Sequence, residues 1–380
     1  MYDFDTTATS PVLPDVLTAY TRRLQQSNDN PASAHLGGLH ALEALNEARR
    51  TVARALDCRP DEVFFTSGGT ESINTALKGI AWARPRLPKR AVASAGEHDA
   101  VLQTMAFLRD MLGYEAVHAP LTADGTLDFE RLAARLDEAP TGIVSAIGVS
   151  NETGAVEDLM AFVRLVREHA PRAFIHLDLV QWAGKRPFSF RRVDPDVVSI
   201  SGHKLGAPKG TGLLIKKHNI VLTPLLHGGG QQDGMRSGTV DLPGACAVAE
   251  ALAYRVAHMA EAEAHVQKLR QYVLNGWTAR DVRFRVLSPP TGSPYVLSIA
   301  FPGIRGATLM NAVSEDGVMI STGAACGSRQ DRTNHVLDAM GVDRATMASA
   351  VRISFSAERT LDDCDRLVDA VADALARYAM

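Results

Sequence analysis

The sequence predicts an α/β protein: a mostly parallel central sheet with helices on both faces, plus a smaller α+β domain. Three observations carry this. Short β-rich runs alternate with helical patterns from residue 62 to residue 216, the mark of strand–helix–strand units. Near Gly244 the pattern changes to a long helical region and then to a second set of strands. A chain of 380 residues, 46% of them hydrophobic, is long enough to bury two cores.

The strands are read in order as "EVFFT" (62–66), "RAVASA" (90–95), "GIVSAIGV" (142–149), "AFIHLDL" (173–179), "DVVSI" (196–200) and "GLLIK" (212–216). Each is a short apolar run rich in β-branched or aromatic residues. Between them, "ESINTALKGIAWA" puts Ile73, Ala76, Leu77 and Ile80 on one helical face, and "LMAFVRLVREHA" does so with Phe162, Leu165 and Val166. The long helical region covers 243–274. After it come strands at 295–301, 317–322 and 351–356, with helices around 307–315 and 361–378. The expected division is a large domain, 13–255, and a small one built from 1–12 with 256–380.

Composition excludes several classes. Net charge is −3, so there is no basic footprint for nucleic acid. No apolar run approaches the roughly 20 residues needed to span a bilayer, and "MYDFDTTATSPV" lacks the basic flank and apolar core of a signal peptide. The four cysteines, Cys58, Cys246, Cys326 and Cys364, form neither a C-x-x-C pair nor a disulfide framework. A reducing, cytoplasmic setting fits them.

Chemistry gathers where the predicted strands end. "TSGGTES" (66–72) joins a strand to a helix through Gly68, Gly69 and Thr70, and free N–H groups at such a helix start attract an anion; many such turns only cap a helix. Asp178 ends the apolar strand of "AFIHLDLVQ", where ligands of parallel sheets sit, with Gln181 in the same turn. Lys204, in "VSISGHKLGAPKG" (198–210), has no carboxylate beside it in sequence, and Ser201 and His203 flank it. His98 in "GEHDAV" and Asn151 in "VSNETG" again follow strands. A lysine, an acid and an anion-binding helix start are what pyridoxal 5′-phosphate needs: an amine for its Schiff base, a carboxylate for its ring nitrogen and a cradle for its phosphate. In "VRISF", Val351, Ile353 and Phe355 share one strand face and Arg352 takes the other, with a guanidinium suited to a carboxylate. Cys326 lies in "STGAACGSRQDRTNH", a small and polar run read as an exposed loop, where a thiolate can reach a substrate.

These residues, with "FDTTATSPV" (4–12), "NPASAH" (30–35), "SNETG", "HLDLVQ", "HGGGQQDGMRSGT" (227–239) and "STGAACGS" (321–328), resemble the cysteine desulfurases of the NifS/IscS type. Those belong to the class V aminotransferases, fold-type I pyridoxal phosphate enzymes. The resemblance covers nearly the whole chain. It implies that Lys204 forms the Schiff base and later moves the Cα proton, that Asp178 pairs with the pyridinium, that Gln181 bonds the ring hydroxyl and that His98 stacks on the ring and moves protons. It gives the phosphate to Gly69, Thr70, Ser201 and His203, and makes Thr239 reach the phosphate of a neighbouring subunit, hence a homodimer. Asn151 and Arg352 would grip the substrate carboxylate. Cys326 would be the nucleophile that takes sulfur from L-cysteine, leaves L-alanine and passes its persulfide to an acceptor protein, in iron–sulfur cluster assembly, thiolation or another sulfur-transfer pathway. No metal, nucleic-acid or membrane partner is expected.

Two pairs of residues depart from the family pattern: Gly206 and Ala207 stand where Tyr–Gly is common, and Gln232 and Asp233 where Glu and a basic residue are common. Alternatives are a selenocysteine lyase, another class V aminotransferase, and a non-catalytic docking module for a sulfur carrier. Cys58, Cys246 and Cys364 match no motif and are read as packing residues.

Overall fold

The computed structural model describes residues 1–26, 29–322 and 334–379. The chain opens with β1 (Tyr2–Asp3), α1 (Pro14–Gln26) and α2 (Leu36–Leu56). β2 (Val63–Thr66) turns into α3 (Gly69–Ala83), followed by β3 (Arg90–Ser94), α4 (Asp99–Leu112), β4 (Glu115–Ala119), α5 (Phe129–Glu138), β5 (Ile143–Ile147), α6 (Leu159–His169), β6 (Phe174–Asp178), α7 (Phe190–Val193), β7 (Val197–Ser201) and β8 (Gly212–Lys216). Next come α8 (Leu242–Ala257), α9 (Met259–Ala279), β9 (Arg285–Val286), β10 (Val296–Ala300), α10 (Gly306–Glu315), β11 (Val318–Met319), α11 (His335–Ala339), α12 (Arg344–Ala348), β12 (Ala350–Ser354) and α13 (Leu361–Tyr378).

Seven strands form the main sheet in the order β2-β8-β7-β6-β5-β3-β4. The five from β7 to β4 run parallel, while β8 is antiparallel to both β7 and β2. The reason lies in the connections. Parallel neighbours need a crossover, usually a helix, whereas β7 and β8 are joined by the short stretch 202–211 that holds Lys204. Alternate strand residues face two helical layers. Val63, Phe65, Val92, Val144, Val198 and Leu213 pack with α2, α6 and α8, and Phe64, Ala91, Ala93, Ile143 and Leu214 pack with α3 and α4.

A separate core gathers Trp277, Phe301, Phe355, Leu309 and Val368 around the sheet β12-β10-β9 and the helices α9, α10 and α13. The beginning of the chain belongs to it: β1 pairs with β11, and Phe4 is fully buried there. From Phe4 the chain crosses to the main sheet, where Ser10 N–H bonds His203 O and Leu13 N–H bonds Gly206 O, both at 2.9 Å.

Two expectations are refined. The long helical region of 243–274 is divided into two helices that break at His258, whose backbone (φ −106°, ψ 12°) caps both. The strand of 317–322 shrinks to β11, which pairs with Tyr2 and Asp3, while Ser321 forms only an isolated bridge with Arg352. The remaining expected strands hold to within a residue or two, and β4 is an edge strand that the sequence reading omits.

Candidate functional site

The carboxyl ends of β5, β6 and β7, the start of α3, the cap of α4 and one residue of β12 meet in a cavity of about 280 Å³. At one end lies the turn from β2 to α3. Gly68 caps α3 at φ +153°, a conformation side chains rarely adopt, and a Cβ on Gly212 would lie 2.5 Å from Gly68 Cα. The two backbones can touch only because residue 212 is glycine, while the turn itself needs glycine at 68 for its φ. The N–H groups of Gly69 and Thr70 have no partner among the described residues and, as the first of α3, are aimed out of its end. Ser201, buried at the end of β7, abuts this turn.

At the other end is Asp178, 2% exposed. Its Oδ1 accepts the Val180 N–H at 2.9 Å, and its Oδ2 has no partner among the described residues. Burial pushes its carboxyl up, against the Val180 N–H and the nearby His98 and Lys204. A buried carboxylate oxygen left open on a cavity is a receptor for a cationic N–H. Lys204 reaches the same cavity from the β7–β8 connection, with its Nζ donating to Thr7 O and Ala8 O. His98 caps α4 by taking the Ala100 N–H on Nδ1 at 3.1 Å, which leaves the proton of a neutral ring on Nε2. His203 bonds Thr9 Oγ1 through Nδ1 at 3.1 Å, and burial, with Lys204 and Lys209 nearby, pushes it down to about 4. An anion cradle, an amine and an open buried carboxylate in one cavity fit pyridoxal phosphate.

Gly69, Thr70, His98, Asn151, Asp178, Gln181, Ser201, His203, Lys204 and Arg352 therefore line one cavity. Thr239 does not; it is exposed and outside that lining. Cys326 lies outside the described residues. Cys246 and Cys364 are buried and Cys58 half-buried, with burial pushing Cys58 and Cys364 up to about 12, as packing residues require.

Several polar partners of the predicted site residues escaped the sequence reading. Arg352, 5% exposed, donates to Asp5 and Glu152 rather than to solvent. Gln181 gives its Nε2 to Thr7 O at 3.2 Å and takes Lys185 Nζ on Oε1 at 2.9 Å; burial, with Lys204 close by, pushes that lysine down to about 7. Behind Asp178 a chain of hydrogen bonds crosses three strands: Glu97 Oε1 to Ser145 Oγ (2.6 Å), Ser145 Oγ to His176 Nδ1 (2.9 Å) and His176 Nε2 to Ser199 Oγ (2.9 Å). Burial drives Glu97 well above the usual carboxylate range and His176 down to about 3, so at neutral pH the chain carries no imidazolium. The only signal in the sequence was polar residues at inward positions of apolar strands.

The departures from the family pattern have local causes. Gly206 sits at φ +89°, and a Cβ there would lie 2.7 Å from Leu13 Cγ. Gln232 takes the Phe65 N–H on Oε1 (2.7 Å) and gives Nε2 to Phe65 O (2.8 Å), so its amide acts as one more strand residue on the free edge of β2. A carboxylate can accept but not donate, which suits glutamine to this place.

The Aminotransferase class-V family model matches residues 2–367. A protein named NifS/IcsS protein homolog, from Lactobacillus delbrueckii subsp. bulgaricus, is 35% identical over 376 residues, covering 97% of this chain and 96% of its own. Cysteine desulfurase IscS of Methanosarcina thermophila is 31% identical over 369 residues, 97% of this chain and 90% of its own. Among solved structures, a NifS-like protein superposes with a TM-score of 0.92 at 35% identity, over 99% of each chain.

Proposed function

The chain belongs to the class-V aminotransferase family, and from that premise we propose that it is a pyridoxal 5′-phosphate-dependent cysteine desulfurase. It converts L-cysteine to L-alanine and carries the sulfur as a persulfide on Cys326 for transfer to an acceptor protein. The observation that carries this reading is the open oxygen of the buried Asp178 in the cavity that also holds Lys204 and the start of α3.

When bound, pyridoxal phosphate supplies a sink for the electrons left on the substrate's Cα. The chain's residues do the rest. Gly69, Thr70, Ser201 and His203 hold the phosphate, and His203, kept neutral, offers a hydrogen bond without competing charge. Asp178 holds the ring's cationic N–H through Oδ2, Gln181 the ring hydroxyl and His98 the ring face. Lys204 would be the point of covalent attachment, and its free Nζ would take the Cα proton. Arg352 and Asn151 grip the substrate carboxylate. The Cys326 thiolate attacks the substrate sulfur: an S–S bond forms, the C–S bond breaks and its electron pair passes to the carbon, which takes a proton and becomes the alanine methyl.

The division into a large unit, 13–255, and a small one, 1–12 with 256–380, is supported by the two cores, since α8 packs in one and α9 in the other. A homodimer is supported by Leu36, Leu39 and Leu42, which lie exposed along α2, and by Thr239, which is exposed and free to serve another subunit's phosphate. No helix among the described residues is long and apolar enough to cross a membrane. A cytoplasmic setting is supported by the three described cysteines, all free.

Borohydride reduction of the holoenzyme tests the reading. Wild type retains the cofactor covalently on the peptide containing Lys204, and the Lys204→Ala protein retains none. Cys326→Ser yields no alanine from cysteine. Covalent fixation at another lysine, or full alanine production by Cys326→Ser, overturns it.

A further inference from the structure

Arg352 is held by acids on both sides. Its Nη1 donates to Glu152 Oε1 at 3.1 Å and to Asn151 O at 3.2 Å, and its Nη2 donates to Asp5 Oδ1 at 2.9 Å. Those bonds leave the N–H on Nε, buried and without a partner, and one on Nη2. Glu152, 7% exposed, does more than pair with the arginine. Its Oε1 also takes Asn151 Nδ2 and its Oε2 takes Asn334 Nδ2, each at 2.8 Å. Asn334 in turn caps α11 through the N–H groups of Val336 and Leu337. One carboxylate thus joins side chains from the loop after β5, from β12 and from the start of α11.

A second carboxylate beside a cavity that must receive the substrate's own is electrostatically unfavourable. Burial raises its cost further and pushes the Glu152 carboxyl up, against the pull of Arg352 and Asn334, with His335 and His98 the other titratable groups facing it. Such a group is explained if it sets geometry. Arg352 and Asn151 are flexible side chains, and carboxylate recognition needs both in one arrangement at once.

We propose that Glu152 is a positioning residue for the carboxylate grip: it fixes Arg352 and Asn151 in the arrangement that admits a substrate carboxylate and ties that arrangement to the first turn of α11. The inference rests on the reading of Arg352 and Asn151 as the grip. Its signature is selective. Losing Glu152 weakens ligands that carry a carboxylate and leaves untouched those that do not.

L-Alanine and ethylamine share an amine and a methyl and differ in the carboxylate. Each is titrated into the holoenzyme, with binding followed by the visible absorption of the cofactor. Glu152→Ala weakens L-alanine about tenfold or more, as expected for a lost charge-assisted bond, and changes ethylamine by less than about twofold. Glu152→Gln, which keeps the shape and one acceptor, falls between the two and decides the matter if the alanine variant does not fold. Equal weakening of both ligands, or of neither, overturns the proposal. Arg352→Ala separates the two layers. If it fails to reduce the preference for L-alanine, the grip reading itself falls; if it reduces the preference and the Glu152 variants do not, only the positioning role falls.

Discussion

Replacing Gln232 by glutamate should loosen the strand that leads into the anion-binding turn. The Gln232 amide is 7% exposed and makes both hydrogen bonds of a strand residue with Phe65, one residue before Thr66 and the turn. Glutamate has nearly the same shape and can still take the Phe65 N–H. It cannot give a proton to Phe65 O, which is left without a donor on the side of β2 that faces away from β8. An unsatisfied buried carbonyl costs about 1–3 kcal/mol, and a carboxylate held against it adds repulsion. Taking about 2 kcal/mol, the apparent melting temperature falls by about 4–8 °C for a domain of this size. The deficit also depends on pH. A carboxyl in that place has its pKa raised by folding, so the folded state binds the extra proton, and a protonated carboxyl regains the missing donor. The gap between Q232E and wild type therefore narrows as pH falls from 8 to 5. Differential scanning fluorimetry at the two pH values reads both quantities. A variant that melts with wild type at pH 8, or whose deficit is unchanged at pH 5, refutes the reasoning.

Gly212→Ala should fold but lose cofactor. Its Cβ would press 2.5 Å from Gly68 Cα, and since that neighbour is backbone the anion-binding turn must move; the cofactor absorbance left after dialysis measures this, and wild-type retention counts against it. His176 should contribute to acid sensitivity. Buried and pushed down to about 3, it stays neutral in the fold while the unfolded chain takes a proton below about 6.5, so stability falls as pH drops through that window, by about 1.4 kcal/mol per pH unit. His176→Asn should remove that much of the slope of urea stability between pH 6 and 4.5, and an unchanged slope contradicts the assignment.

The sequence made the sheet legible wherever strands were buried on both faces, as in "GIVSAIGV" and "DVVSI", since such strands are continuous apolar runs. It missed β4, whose residues are partly exposed at the sheet edge and carry no such run, and it read β8 as a strand but not its antiparallel direction, which is decided by the length of the β7–β8 connection. Lys204, Asp178 and the Thr70 turn stood out because each follows its own strand. The groups that orient them did not. Asp5 meets Arg352 from 347 residues away, and Glu152 looks like any acid in a turn until its three partners converge. Gln232 read as a deviation from a pattern until the free edge of β2 appeared beside it.

The first strand, Phe4 and the crossing that follows have a consequence for how the protein is made. Residues 2–13 are synthesised well before their partners β11 and β12, which lie far along the chain. The main sheet can assemble on the nascent chain while Asp5, Thr7 and Ala8 wait with nothing to hold them on one side. Maturation is therefore a late event: a translation product cut short before residue 350 keeps a sheet and an amine but has no wall through which to recognise an amino acid.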